Sequence, residues 1–330
     1  MHIITEQQIN AFKKFIDSYD NFIVVGHKEP DGDCISSCLA IATLLNKKGK
    51  SYQLVSAGPF KRPEIKVYEN MFAKEAIILQ TEKKQGIIIL DCGEFSRVGD
   101  IFPSGEHPET LNIPTFVIDH HKTSLFDPNC SIIDSTAPAT VCIVQQLYEK
   151  LEGIPSKETS EYLFFGLATD TGYFRFLDEK SKNVFMAAAR LVEYGVNPRQ
   201  IYDKMTSGKP FSSRKLLGIM LDKAEQYFDG KLVITYETME DTKKYGFDGR
   251  DSDSLYQLLL ASVDVEAVVF IRQETEQSCT MGFRSKDQID VSEIAVKFGG
   301  GGHKNAAGCS TPGIINNLIP KVIKEFENLF

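Results

Sequence analysis

Three short apolar runs in this chain each stop abruptly at residues that can bind metals. Phe22 to Val25 gives way to Gly26 and His27, Gly86 to Leu90 gives way to Asp91, and Thr115 to Ile118 gives way to Asp119, His120 and His121. Such runs are too short for helices, and their β-branched, non-alternating character reads as strands of a parallel sheet buried on both faces. In sheets of that kind, ligands collect outside the carboxyl ends of the strands. Three strands that deliver His and Asp to one edge therefore point to an α/β domain with a polar site along that edge.

The loop after the first run concentrates the chemistry. Asp31 and Asp33 flank Gly32 and can converge on one point beside His27. Two carboxylates that close repel, and a divalent ion with mixed nitrogen and oxygen ligands is the simplest compensation. Taken alone, the loop is equally well an ordinary Asp-Gly turn with a satisfied histidine. Recurrence at three strand ends is what favours a metal centre. A helix read over 156–169 then runs into Asp170, where the helix dipole disfavours an anion unless a cation sits nearby. Further helices are expected over 5–17, from the end of the metal loop to Gly49, over 138–151 and on to Tyr194, with another strand over 52–55.

At 330 residues and 42% hydrophobic content, the chain is long enough for two domains with real cores. The first is expected over 1–195. A Lys-, Pro-, Ser- and Gly-containing connection follows over 196–217, and a smaller α+β domain occupies 218–330. That second domain reads as strands over 232–236, 266–272 and 278–283, with helices over 254–261, 291–298 and 314–329. A net charge of −8 argues against gripping long duplexes, although placed cations can still hold small nucleotides. Seven cysteines without a Cys-x-x-Cys pair suggest neither a disulfide framework nor a zinc ribbon, and Cys34 and Cys38 read as small buried hydrophobes. No run approaches the roughly 20 apolar residues that span a bilayer, and no basic-then-apolar leader opens the sequence. No membrane partner and a cytoplasmic location are expected. Neither a Walker loop nor a Gly-x-Ser-x-Gly elbow is present.

The ordered motifs resemble those of the DHH phosphoesterase superfamily. They are Gly-His-Lys-Glu-Pro-Asp-Gly-Asp at 26–33, Leu-Asp at 90–91, Asp-His-His at 119–121 and Thr-Asp-Thr-Gly at 169–172. Phe283-Arg284-Ser285 and the run from Gly299 to Gly308, which contains His303, resemble its DHH-associated substrate-binding domain. The resemblance implies two Mn²⁺ ions, with Mg²⁺ or Co²⁺ as substitutes. One would be held by His27, Asp31 and Asp91, the other by Asp33, Asp91, His120 and Asp170. His121 would touch the phosphate and Asp119 would orient a ligating histidine. Arg284, Ser285, Gly300, Gly301, Gly302 and His303 would bind substrate, the glycine amides facing a phosphate or sugar oxygen, in a cleft between the two domains.

Two ions roughly 3.5–4 Å apart activate water for in-line displacement at phosphorus. Size and layout most resemble stand-alone bacterial oligoribonucleases that also dephosphorylate 3′-phosphoadenosine 5′-phosphate. The implied substrate is thus short single-stranded RNA or a small nucleotide, with no stable duplex binding and a homodimer as one arrangement. The alternative is a cyclic di-AMP or pApA phosphodiesterase. A nucleotide-binding regulator without catalysis is disfavoured, because every expected His and Asp is present. Relatives usually carry glycine where this chain has Ser36, and a serine there is expected to loosen the helix contact or narrow the pocket slightly.

Overall fold

The expected strands of the first half pair side by side in one parallel sheet. In the computed structural model, which describes residues 1–79, 84–103, 111–122, 124, 126–127, 129–247, 250–286 and 288–330, the chain divides into two units, Met1–Gly208 and Lys209–Phe330. The first contains, in order, α1 (Glu6–Ser18), β1 (Asn21–Val25), α2 (Gly32–Lys47), β2 (Ser51–Val55), α3 (Pro63–Lys66), β3 (Gln85–Leu90), β4 (Thr115–Asp119), β5 (Ser131–Ile133), α4 (Thr140–Glu152), α5 (Lys157–Asp170), α6 (Lys182–Glu193) and α7 (Pro198–Thr206). Strand order is β2-β1-β3-β4-β5 and every pairing is parallel. The chain moves outward from β1 to β2, then crosses back to lay β3 on the other side of β1. That reversal opens a crevice at the carboxyl ends of β1 and β3.

Burial on both faces explains why the middles of β1, β3 and β4 carry no polar residues. Phe22, Val24, Ile88, Leu90, Phe116 and Ile118 face α2, α4 and α5, whose buried residues belong to the same core. Ile23, Val25, Ile87, Ile89 and Val117 face the opposite side, where Val98, Ile101 and Phe102 from loop segments cover them. Burying a side chain of this size stabilises the fold by about 1.5–3 kcal/mol, so register along the sheet is strongly fixed. A one-residue slip would exchange the two faces.

The second unit comprises α8 (Phe211–Asp222), β6 (Glu225–Tyr227), β7 (Leu232–Glu237), α9 (Met239–Tyr245), α10 (Ser252–Leu260), β8 (Ala267–Thr275), β9 (Ser278–Ser285), α11 (Val291–Lys297), β10 (Gly301–His303), β11 (Ala306–Pro312) and α12 (Ile315–Phe326). Its mixed sheet runs β10-β11-β9-β8-β7-β6. Residues of α11 and α12 share a core with one face, residues of α8 and α10 with the other. The stretch 196–217, expected as a connection around a short helical stretch, holds α7 and the start of α8, and the two units divide within it after Gly208. Among the described residues, no helix is long and apolar enough to cross a membrane.

Candidate metal centre and substrate pocket

Gly26 lets the chain leave β1 tightly, since a Cβ there would lie 2.2 Å from the Cys34 sulfur and 3.0 Å from the Leu90 carbonyl. The next residue, His27, sits 2.8 Å through Nδ1 from the Lys28 carbonyl. A carbonyl only accepts, so Nδ1 carries the proton and Nε2 presents a lone pair. That Nε2 lies 3.5 Å from Asp91 Oδ2 and 3.8 Å from Asp31 Oδ1. Asp31 also caps α2 by accepting from the Cys34 amide at 3.1 Å.

Asp91 follows β3 with φ of 53°, a left-handed conformation uncommon outside glycine and held here by its amide bond to the Ile118 carbonyl at 3.0 Å. Its Oδ1 lies 3.5 Å from His120 Nε2 and accepts from the Thr140 hydroxyl at 3.0 Å. His120 repeats the logic of His27, with Nδ1 3.2 Å from the Ala137 carbonyl and Nε2 3.6 Å from Asp170 Oδ2. Asp33 is wholly buried and accepts from the Thr140 and Val141 amides at 2.5 and 2.9 Å. It thereby caps α4, whose own N-cap position is Ala139 and offers no side-chain bond. Donor atoms of Asp33, His120 and Asp170 lie within 4.8 Å of one another.

The separations of 3.5–3.8 Å between histidine nitrogens and carboxylate oxygens exceed a hydrogen bond. They approach the spacing of two ligands on one ion, which is about 3.0–3.5 Å for bonds of about 2.1 Å. All six expected ligands are thus in one cluster, and Asp91 offers one oxygen to each histidine. His121 and Asp119 adjoin it, with one correction. Asp119 Oδ1 accepts from His121 Nδ1 at 2.7 Å, so it orients His121 rather than a ligating histidine, while Ser124 donates to its other oxygen.

The remaining expected residues lie in the second unit, two of them on a pocket of about 400 Å³. Arg284, Gly301, Gly282 and Gly308 line it together with Tyr256 and Arg272. Two other expectations are corrected. Ser285 is buried and donates to the Ile289 carbonyl at 2.7 Å, so it braces its strand end. Gly299 and Gly300 do not point free amides at a ligand, because both donate into the last turn of α11 at 2.9 Å. Gly300 and Gly302 are required sterically, since a Cβ on either would come within 2.2 Å of the Gly308 carbonyl or 2.6 Å of the Ala306 carbonyl. The glycine run is an ordered turn into the β10–β11 hairpin, with His303 exposed at the end of β10.

Residues 21–167 match the family model described as "DHH family, N-terminal domain", and residues 229–330 match the "DHHA1 domain". The bifunctional oligoribonuclease and PAP phosphatase NrnA of Thermus thermophilus is 30% identical over 294 residues, covering 88% of this chain and 84% of the relative. The chain belongs to the DHH family. Its DHH-family relatives include the NrnA of Bacillus subtilis, 24% identical over 89% of this chain and 90% of the relative. The crystal structure of an exopolyphosphatase-related protein from Bacteroides fragilis shares the fold, with a TM-score of 0.82 at 22% identity over 100% of this chain and 99% of that one.

Electrostatics of the DHH domain explain what the cluster needs. Burial, and then the neighbouring Asp91, Asp170 and Asp31, push the Asp33 carboxyl well above its usual range. Asp170 is pushed up to about 6 by burial and by Asp91, with His120 opposing. Burial acts the same way on Asp31, but where no ion is bound a protonated His27 pairs with it and draws it down to about 2. Crowded, dehydrated carboxylates of this kind fit cationic occupants. The Cys34 thiol lies within the same reach of His27 and Asp91, yet burial raises it far above its ordinary value, in keeping with a packed apolar group.

Two residues of the DHH site went unread in the sequence, Thr140 and Ser124. A hydroxyl in the first turn of the helix that starts beside the strand ends was the available signal for Thr140. Ser36 also has a different place from the expected one. It is buried against α5, where a Cβ on Gly166 would lie 2.9 Å from the Ser36 Cβ, so Gly166 supplies the close approach.

Proposed function

We propose that this DHH-family hydrolase cleaves short oligoribonucleotides to mononucleotides and removes a phosphate from 3′-phosphoadenosine 5′-phosphate, using two manganese ions. The observation that carries the reading is Asp91, whose Oδ2 faces His27 Nε2 and whose Oδ1 faces His120 Nε2, each at 3.5 Å. His27, Asp31 and Asp91 would hold one ion, and Asp33, Asp91, His120 and Asp170 the second. Oxygen-rich ligands with a minority of imidazole suit manganese over zinc. Bound ions supply Lewis acidity toward the phosphate and lower the pKa of water.

The chain's own residues do the rest. Carbonyls of Lys28 and Ala137 fix the tautomers of His27 and His120. Asp119 holds Nδ1 of His121 and raises that imidazole's pKa, so His121 can carry positive charge beside a substrate phosphate. Thr140 donates to Asp91 and keeps its Oδ1 aligned. Arg284 and His303 would receive the substrate's other groups. The substrate classes come from the NrnA relatives, which are bifunctional oligoribonucleases and PAP phosphatases.

The deciding experiment compares initial rates on pApA, a 24-nucleotide RNA and cyclic di-AMP, with Mn²⁺, Mg²⁺, Co²⁺ or Zn²⁺ at equal concentration. Fastest turnover of pApA with Mn²⁺ is expected. Preference for the cyclic compound would make the protein a second-messenger phosphodiesterase, and preference for the long strand would refute the short-substrate reading.

A further inference from the structure

The pocket of the second unit has two walls of different electrical character. Phe270 pairs with Gly282, Gly282 with Gly308, and Gly308 with Gly301, so one row across four strands contains three glycines in succession. Rows two residues away present side chains to the same face. On one flank stand Arg284, Ala306 and His303, on the other Arg272, Thr280 and Ser310. Tyr256 lies over Gly282, where a Cβ would come within 2.1 Å of its hydroxyl, so the open floor between the two polar walls is Gly308 and Gly301, and a Cβ on Gly301 would meet nothing within 4 Å.

Arg284 lies 4.7 Å over the Tyr256 ring, donates to the Phe283 carbonyl at 3.0 Å, and makes no ion pair among the described residues. Its wall is net cationic. Arg272 differs, because its Nε donates at 2.9 Å to Glu237, which is wholly buried and also accepts from Arg250 at 3.0 Å and Thr242 at 2.6 Å. Glu274 adds a second carboxylate, 3.9 Å from Arg272 and 3.3 Å from Arg250. Two arginines and two glutamates cancel. A phosphate is therefore stabilised at the Arg284 wall and gains little from charge at the Arg272 wall. What Arg272 retains is a planar set of donors in a fixed direction, stacked 5.0 Å over Phe270.

We infer that Arg272 is a specificity-determining residue that reads the acceptor edge of a nucleobase lying on the glycine floor. Purines are favoured through N7, and guanine ahead of adenine, because guanine O6 and N7 together accept both bonds of a guanidinium fork. Pyrimidines are ranked last. This inference rests on the nucleotide reading above.

The test is calorimetric titration of the manganese-loaded 330-residue chain with GMP, AMP, CMP and ribose 5-phosphate, in wild type and Arg272→Lys. Lysine keeps a cation for Glu237 but loses the fork, and an unchanged melting temperature will show that the wall is intact. The expected wild-type order of affinity is GMP, AMP, CMP. In the variant GMP weakens about tenfold, ribose 5-phosphate is unchanged, and on pGpG KM rises while kcat holds. Equal weakening of ribose 5-phosphate and GMP would overturn the inference, as would an undiminished GMP affinity. A wild type that hydrolyses oligonucleotides but binds the three nucleotides alike sinks this inference alone. One that hydrolyses none of them sinks the nucleotide reading.

Discussion

Replacing Asp91 by asparagine separates what the carboxylate does for function from what it costs the fold. Asparagine tolerates the left-handed backbone at φ 53° about as well as aspartate, so the loop should persist. The carboxyl of Asp170 stands at about 6 rather than 3.8. A raised carboxylate means that the folded chain holds the proton more tightly, so stability falls as pH climbs from 3.8 through about 6 and the loss is complete above that. Two pKa units correspond to about 3 kcal/mol. Burial is the largest cause and Asp91 the next, so neutralising Asp91 should return about 1 kcal/mol at pH 8, with Asp33 relieved in the same direction. For a unit of this size that is a rise of about 2–4 °C in Tm without metal.

With Mn²⁺ the order should reverse. Wild type gains about 2.7 kcal/mol when the ion is at 100 times its Kd, whereas the variant lacks the shared carboxylate and gains far less. Turnover of pApA should fall by more than the ~10–100-fold typical of losing a group that only orients a metal ligand. Scanning calorimetry with EDTA and with Mn²⁺, beside the rate assay, measures all three quantities. A variant with the wild-type metal-induced Tm rise, or with near-normal turnover, would refute the bridging role.

Thr140→Val removes the hydroxyl bond to Asp91 while leaving the amide that caps Asp33, and should raise the Mn²⁺ concentration for half-maximal rate by about 10–100-fold; an unchanged metal titration would show the hydroxyl to be idle. Ser36→Ala deletes a buried hydroxyl that has no partner among the described residues, and should raise stability in urea by about 1 kcal/mol with turnover unaffected; a lower urea midpoint would count against that packing account. Gly301→Val adds a side chain where there is open space, so the chain should fold and keep its Mn²⁺-induced Tm rise while KM for pApA increases several-fold; loss of the metal response instead would refute the division of labour between metal cluster and pocket.

The metal edge was readable because its ligands are carried by the strongest sequence signal in the chain. Val25, Leu90 and Ile118 end apolar runs that can only be buried strands, and parallel pairing places their successors at one edge. The groups that orient the two histidines were not readable, since Ala137 and Lys28 act through backbone carbonyls that any residue possesses. Likewise, Asp33 as the cap of α4 joins residues 107 and 108 positions apart. The three-residue strands β5, β6 and β10 are too short to show alternation, and without β10 the glycine run could only be read as a loop. Arg272 stood inside an expected strand, but nothing local reveals that Glu237 fixes its direction.

The open floor of Gly308 and Gly301 has a consequence for how such a pocket changes over time. A floor made of backbone has no rotamers to freeze when a ligand arrives, so it adds almost nothing to the entropic cost of association. It also cannot be retuned by substitution, because any larger residue raises it. Divergence of ligand preference must therefore occur on the walls, where Thr280 and Ser310 can be exchanged singly, whereas Arg272 can change only to another cation or together with the buried Glu237 that it neutralises.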